Sequence, residues 1–397
     1  MTSEGTSLDQ MDGRVAGSRS QLFDLVVKTT GLTVLTLGVY SFWARTRVRR
    51  WLWSALRVGG TPFEYVGQPL EKLMGFVVAA VIVAVYLGLV TMVLIFASLN
   101  IWGSPGPGTA ASFALLLPVY WFAQYRGMRY LLNHTRWRGI SFSMAPGAWR
   151  YAGLAMLWTT LSILSLGLLW PVRTQRLWRF RAERSFYGDD HFRLGLRARN
   201  LFAPFLPAWV GAISCGLLAY AGLQDGGEGL LAILAFAVPA TGIAWVHWRV
   251  ASYERLVSSL GFAGAVSLAV RVRTGRVIGI HIGGWITVGI VLIILSIALT
   301  VGFGAALGSQ LERLDAETLT SSDPWIFLVV GLLVYLTFFL GRGALRLVFV
   351  TYPLIKHIGS SLHLRGAAEV NAVRAGKTHH MADADGFANL FDLGSGI

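Results

Sequence analysis

Residues 73–125 read LMGFVVAAVIVAVYLGLVTMVLIFASLN-IWGSPGPG-TAASFALLLPVYWFAQY, fifty-three positions without one charged side chain. A helix rises 1.5 Å per residue, so about 20 residues cross a hydrocarbon core of roughly 30 Å. The run is long enough to cross twice. It is interrupted once, by Asn100-Ile101-Trp102-Gly103-Ser104-Pro105-Gly106-Pro107-Gly108, a stretch of turn formers that no membrane helix tolerates. The reading is two spans, about 73–99 and 109–129, joined by a tight hairpin.

The same plan recurs further along the chain. Leu201 to Gln224 is charge-free, Asp225-Gly226-Gly227-Glu228 turns, and the return from Gly229 to Trp248 carries only His247 as an ionisable group. A third hairpin rises from Val277 to Thr300, passes an acidic connection (Glu312, Asp315, Glu317, Asp323), and returns from Pro324 to Gly341. Three hairpins predict six spans. Two further apolar segments, Gly31 to Ala44 and Tyr151 to Val172, leave the number between six and eight. The first has only fourteen clean residues, a length that favours an interfacial or re-entrant piece.

Composition agrees. Of 397 residues, 54% are hydrophobic and only 14% charged, more apolar surface than a soluble chain can hide. The fold class expected is an all-α integral membrane protein of six to eight transmembrane helices. The single cysteine, Cys215, excludes an intrachain disulfide and any cysteine-based metal site. The net charge of +14 is carried by thirty arginines and four lysines. On a soluble protein this would suggest nucleic acid; on a membrane protein the positive-inside rule explains it, and no nucleic-acid partner is expected.

Arginine placement orients the spans. The connections over 45–57, 126–150, 173–199 and 249–276 are Arg-rich, whereas the three hairpin tips hold one basic residue, Arg313. Every Arg-rich connection is then cytoplasmic, provided that 151–172 does not cross, since both its flanks are basic. Six crossings with two cytoplasm-facing apolar segments is the favoured layout. In the rival layout all eight cross and the later arginine clusters lie outside.

A short phrase repeats: Arg47-Val48-Arg49-Arg50-Trp51, Arg126-Gly127-Met128-Arg129-Tyr130, Arg176-Leu177-Trp178-Arg179-Phe180 and, less well, Arg249-Val250-Ala251-Ser252-Tyr253. Each follows an apolar segment. Thr33-Val34-Leu35-Thr36-Leu37-Gly38 also matches Ser162-Ile163-Leu164-Ser165-Leu166-Gly167. A duplication of about 125 residues is expected. It divides the chain into a polar N-terminal tail (1–20), two membrane repeats (21–148 and 149–265), an added hairpin (266–356) and a cytoplasmic tail (357–397).

Thr36-Leu37-Gly38-Val39-Tyr40-Ser41-Phe42-Trp43-Ala44-Arg45, the arginines that follow it and Gly60-Thr61-Pro62-Phe63-Glu64-Tyr65 resemble the YjgN-like family of bacterial inner-membrane proteins, a domain of unknown function. Phe186-Tyr187-Gly188-Asp189-Asp190-His191-Phe192 and the tail from Asp383 carry the likeness further; Val172, where similar proteins tend to have Trp, departs from it. The resemblance implies an inner-membrane location and brings no activity.

Arginines three apart share a helix face, and at the end of a span they can reach phosphate headgroups while their stems stay on apolar surface. Arg47, Arg50, Trp51, Arg126, Arg129, Tyr130, Arg176, Arg179 and Arg249 are therefore candidates for binding anionic headgroups or anions, or else simple topology anchors. Asp24, Lys28, His247 and His281 are the candidate intramembrane polar residues, the first two spaced to pair with each other. Asp189-Asp190-His191 reads as a turn and His379-His380 as part of a polar tail, so no metal or cofactor is expected. No nucleophile elbow, zincin or phosphate-loop motif is present, and no enzyme is expected. Two functions compete: a membrane module engaging anionic lipid or a partner, and a transporter or channel for small anions lined by Thr29, Thr30, Thr33, Thr36, Thr159, Thr160, Ser162 and Ser165.

Overall fold

The computed structural model describes residues 10–225, 228–262, 264, 266–311 and 324–375. The apolar runs are helices: α1 (Arg19–Leu35), α2 (Ser41–Ala55), α3 (Pro69–Trp102), α4 (Gly106–Asn133), α5 (Ala148–Leu164), α6 (Trp170–Ala182), α7 (Phe202–Asp225), α8 (Glu228–Ser258), α9 (Thr274–Leu311), α10 (Pro324–Arg346), α11 (Tyr352–Gly359) and the short α12 (Ala367–Ala372). On α3, Met74, Val78, Leu89, Met92 and Phe96 are all more than half exposed. A helix that is apolar all round and bare of protein belongs in lipid. Among the described residues five helical stretches are long and apolar enough to cross a membrane: Pro69–Trp102, Ala198–Gln224, Ala232–Ser258, Thr274–Ala298 and Thr337–Gly359.

The tip between α3 and α4 shows why its sequence turns. The Ser98 hydroxyl donates to the Ser104 carbonyl (2.6 Å) and accepts from the Gly108 amide (3.0 Å). A side chain at Gly108 would collide with the Leu94 backbone, so only glycine lets the two arms meet there. The expected tips at 225–228 and 312–323 lie wholly or partly outside the described residues, as does the tail from residue 376.

The expectation of an all-α fold is corrected. The stretches between the helices, with residues 10–15 and 362–365, form an eleven-stranded antiparallel sheet: β1 (Gln10–Val15), β2 (Leu56–Val58), β3 (Thr61–Tyr65), β4 (Thr135–Trp137), β5 (Ile140–Met144), β6 (Ser185–Tyr187), β7 (Asp190–His191), β8 (Arg193–Leu194), β9 (Leu260–Phe262), β10 (Val266–Val270) and β11 (Leu362–Arg365). Strands of two to six residues carry too little alternation to stand out, and their arginines mask what there is. Their order is β7-β6-β5-β4-β3-β2-β1-β11-β10-β9-β8. Only Phe192 separates the two terminal strands, and its amide donates to the Ser185 carbonyl of β6 (2.9 Å). Residues 190–194 thus pair with β6 on one side and β9 on the other. The sheet closes into a ring, which leaves no edge to template aggregation.

Side chains fill the ring. Val58, Trp137, Tyr187, Phe262, Val266 and Leu364 are buried inside it, with Phe63, Phe142 and Phe192 packed against them and Val370 and Val373 entering from α12 and the residue after it. The Tyr187 hydroxyl donates to the Trp137 carbonyl (3.1 Å), and burial pushes its phenol up to about 12. β1 lies within residues 1–20, and β11 and α12 lie within 357–397.

Helical insertions join neighbouring strands. The chain leaves β1 and returns to its partner β2 through α1–α2, leaves β3 for β4 through α3–α4, and leaves β5 for β6 through α5–α6. It leaves β8 for β9 through α7–α8 and β10 for β11 through α9–α11. Because each pair is antiparallel, every insertion begins and ends at the same edge of the sheet. The short turns, such as Gly59-Gly60 and Arg138-Gly139 with positive φ at both positions, occupy the other edge.

The chain divides into two compact units. One holds the ring and Trp53–Thr274. The other holds Ala16–Leu52 and Gly275–Lys356; within it α1 packs on α10, and Val288, Leu292 and Leu345 form a core.

Candidate functional site

Three of the four repeated phrases occupy one structural position. Arg47, Arg126 and Arg176 each lie eleven residues before a ring-filling side chain, Val58, Trp137 and Tyr187 respectively. Each phrase ends a helix that runs almost directly into a strand. Arg249 lies thirteen residues before Phe262, so the fourth phrase is out of register with its strand by two positions.

Within the phrases the arginines divide by role. Arg129, only 8% exposed, donates from Nε to the Met144 carbonyl at the end of β5 (3.1 Å). Arg179 reaches the Leu196 carbonyl beyond β8 (3.4 Å) and Glu183 (3.8 Å). In these two phrases the second arginine thus ties a helix to the chain that leaves the next strands. The first arginine faces outward on an aromatic ring: Arg126 over Phe122 (5.7 Å), Arg176 over Trp158 (5.7 Å), and, in the second unit, Arg47 over Tyr40 (5.7 Å). Arg47, Arg50, Arg176 and Arg249 are exposed.

The aromatic of each phrase packs against protein. Tyr130 is buried, stacks on His134 (4.0 Å) and lies beneath the buried Lys72 ammonium (5.3 Å). Phe180 carries the Arg184 guanidinium (4.5 Å), and Trp51 packs on Tyr352 (5.6 Å). Sequence reasoning missed the role of Arg173, which lies between Trp121 (4.9 Å) and Trp170 (4.7 Å) and donates to Thr159 Oγ1 (2.8 Å). The only available signal was a charge in an otherwise apolar and aromatic stretch.

The other candidates are held locally. Asp24 and Lys28 are both exposed and form no ion pair with each other. His247 Nδ1 contacts Thr274 Oγ1 (3.2 Å), and His281 Nδ1 contacts its own helix at the Val277 carbonyl (2.8 Å). Asp189 sits in the β6–β7 turn, where its carboxylate accepts from the Arg374 amide (3.1 Å), and Asp190 accepts from the His191 amide (2.7 Å).

The two short apolar segments bend identically. Gly38 N donates to Thr33 O (2.8 Å) as Gly167 N donates to Ser162 O (2.6 Å). Tyr40 N caps on Thr36 Oγ1 (3.0 Å) as Leu169 N caps on Ser165 Oγ (3.2 Å). Leu37-Gly38 and Leu166-Gly167 share positive φ (49° and 94°; 51° and 86°). These partners are 129 residues apart, the same offset that relates Arg47 to Arg176 and Val58 to Tyr187.

Apolar helices mounted on a ring of short strands, with arginines at the junctions, define a multi-pass membrane protein. The chain belongs to the YjgN-like family: the family model described as "Bacterial protein of unknown function (DUF898)" matches residues 12–390. It is similar to Inner membrane protein YjgN of Salmonella typhimurium, 28% identical over 145 residues, which cover 36% of this chain and 34% of that protein. The chain thus aligns with about a third of that relative's length. No solved structure matches.

Proposed function

We propose that this is a bacterial inner-membrane protein that crosses the bilayer six times through three long hairpins. In this reading α1–α2 and α5–α6 are re-entrant, and the strand ring, with the C-terminus, is cytoplasmic. The outward arginines at the helix-to-strand junctions engage anionic phospholipid headgroups, and no catalysis is assigned. One observation carries the reading: every insertion leaves and rejoins the sheet at one edge, so the basic junctions share that edge. The positive-inside rule then gives this edge to the cytoplasm. The name of the Salmonella relative supports the location. The shared 129-residue offset supports a duplication of about 125 residues.

Transport of small anions is the second reading, and the hydroxyls do not favour it. Thr29, Thr33, Thr36, Thr159, Ser162 and Ser165 all donate to carbonyls of their own helices. Their protons are spent where they stand.

Single cysteines placed at Arg138, Glu183 and Trp102 in a Cys215→Ser background test the layout. Arg138 and Glu183 should react with an impermeant thiol reagent only from the cytoplasm, and Trp102 only from outside. Labelling of position 183 from the periplasm would restore eight crossings. The lipid reading predicts that phosphatidylglycerol nanodiscs raise the Tm relative to phosphatidylcholine nanodiscs, and that salt reduces the gain. Equal Tm values, or anion uptake by proteoliposomes, would move the assignment to transport.

A further inference from the structure

The chain beyond β11 covers one mouth of the ring. β11 runs from the helix-bearing edge to the edge of short turns, so Gly366 and α12 lie on the turn side. There Val370 and Val373 join the buried cluster that holds Trp137 and Tyr187. Polar attachment is to two turns. At the β6–β7 turn the Asp189 amide donates to the Arg374 carbonyl, and the Arg374 amide donates to the Asp189 carboxylate, both at 3.1 Å. At the β4–β5 turn the Arg138 guanidinium donates to the Asn371 side-chain carbonyl (2.6 Å). The seat is shaped for this segment, since a side chain at Gly188 would collide with the Arg374 carbonyl and crowd Val373.

The attachment is weaker than that of the strand before it. β11 is held by ladders on both sides, to β1 and to β10. Residues 367–374 can leave without breaking either ladder, because their contacts with the ring are side-chain packing and the bonds to the two turns. Gly366, at φ +90°, separates strand from helix, and a glycine leaves that step free to swing. The docked arrangement also carries two unsatisfied polar atoms. One Glu369 carboxylate oxygen and the Trp137 indole Nε1 are buried without a hydrogen-bond partner. Unpaired buried groups weigh against the state that holds them, and charged groups weigh most. Undocking returns Glu369 to water and lifts the cover that Val370 and Val373 place on the cluster around Trp137.

We infer that residues 367–374 are a displaceable strap. Hinged at Gly366, it leaves the turn-side mouth while all eleven strands stay paired, and so governs access to the aromatic interior of the ring. It is a local opening of the fold, distinct from unfolding.

The experiment measures thiol modification by dithionitrobenzoate in the full chain, in a Cys215→Ser background. Val370→Cys reports the strap. Val270→Cys reports the helix-side end of β10, and the two native side chains are equally buried, each 2% exposed. The cysteine at 370 should react at least tenfold faster than the one at 270. Asn371→Ala, which removes the acceptor for Arg138, should speed position 370 several-fold and leave position 270 and the Tm unchanged. Glu369→Gln, which removes the buried charge, should slow position 370 several-fold. Equal rates at 370 and 270, or an Asn371→Ala effect that accelerates both together, would show that the segment moves only with the whole ring and overturn the proposal. Acceleration by Glu369→Gln would overturn it as well. Should Val370→Cys misfold, amide hydrogen exchange of the unmodified chain carries the test. The Asp189 and Arg374 amides should then exchange at least tenfold faster than the ladder amides of β10 and β11, and equal rates refute the strap.

Discussion

Gly38 and Gly167 show how one residue type determines a path. Both stand at φ near +90°, where a β-carbon meets the following carbonyl. Gly167→Ala should cost about 1–2 kcal/mol, read as a lowered Tm in detergent. Gly31, inside α1 with an ordinary φ and nothing within 4 Å, provides the contrast. Gly31→Ala should leave the Tm equal or raise it, because it removes only backbone freedom from the unfolded chain. The likeness of the two Leu-Gly steps was legible in the sequence. Their shared backbone geometry was not, since a matching hexapeptide records similarity without conformation. The arginines behave likewise. Their positions identify the junctions, but burial decides which one braces the protein and which one faces outward.

At the scale of elements, the α4–β4–β5 junction separates those two roles. Arg129→Met keeps the aliphatic length and removes the donor to Met144, leaving a buried carbonyl unsatisfied. It should destabilise by about 1–3 kcal/mol in chemical unfolding. Arg126→Met, three residues away with its guanidinium over Phe122, should change stability by about 0.5 kcal/mol or less. Equal losses would remove the distinction between bracing and outward arginines. The long helices were legible because about 20 apolar residues in a row have one reading in a membrane protein. The strands were hidden because their pairing partners are distant: β1 pairs with β11, placing Asp12 opposite His363. No local window contains that information. Three residues such as Thr135-Arg136-Trp137 become a strand only when neighbours on both sides supply hydrogen bonds.

For the whole molecule, ring closure is the property to test. A chain ending at Ser361 lacks β11 and leaves β1 and β10 as open edges, whereas one ending at Gly366 retains all eleven strands. The first should aggregate on size exclusion, and the second should stay more dispersed, though it loses Val370 and Val373 from the ring interior. Identical behaviour of the two would argue that the ring is held by its helices and not by its pairing.

The sequence by itself determined that this is a multi-pass membrane protein, which family it belongs to, and where the basic junctions fall. Those properties depend on composition, run length and short motifs, all of which are local. Only the tertiary structure decided that the junctions are mounted on a closed sheet, that each helical insertion returns to the strand beside the one it left, and that Asn371 and Arg374 meet the turns at Arg138 and Asp189. The physical reason is the same in each case. Hydrogen-bond pairing and packing are relations between distant residues, and a one-dimensional pattern does not contain the distances.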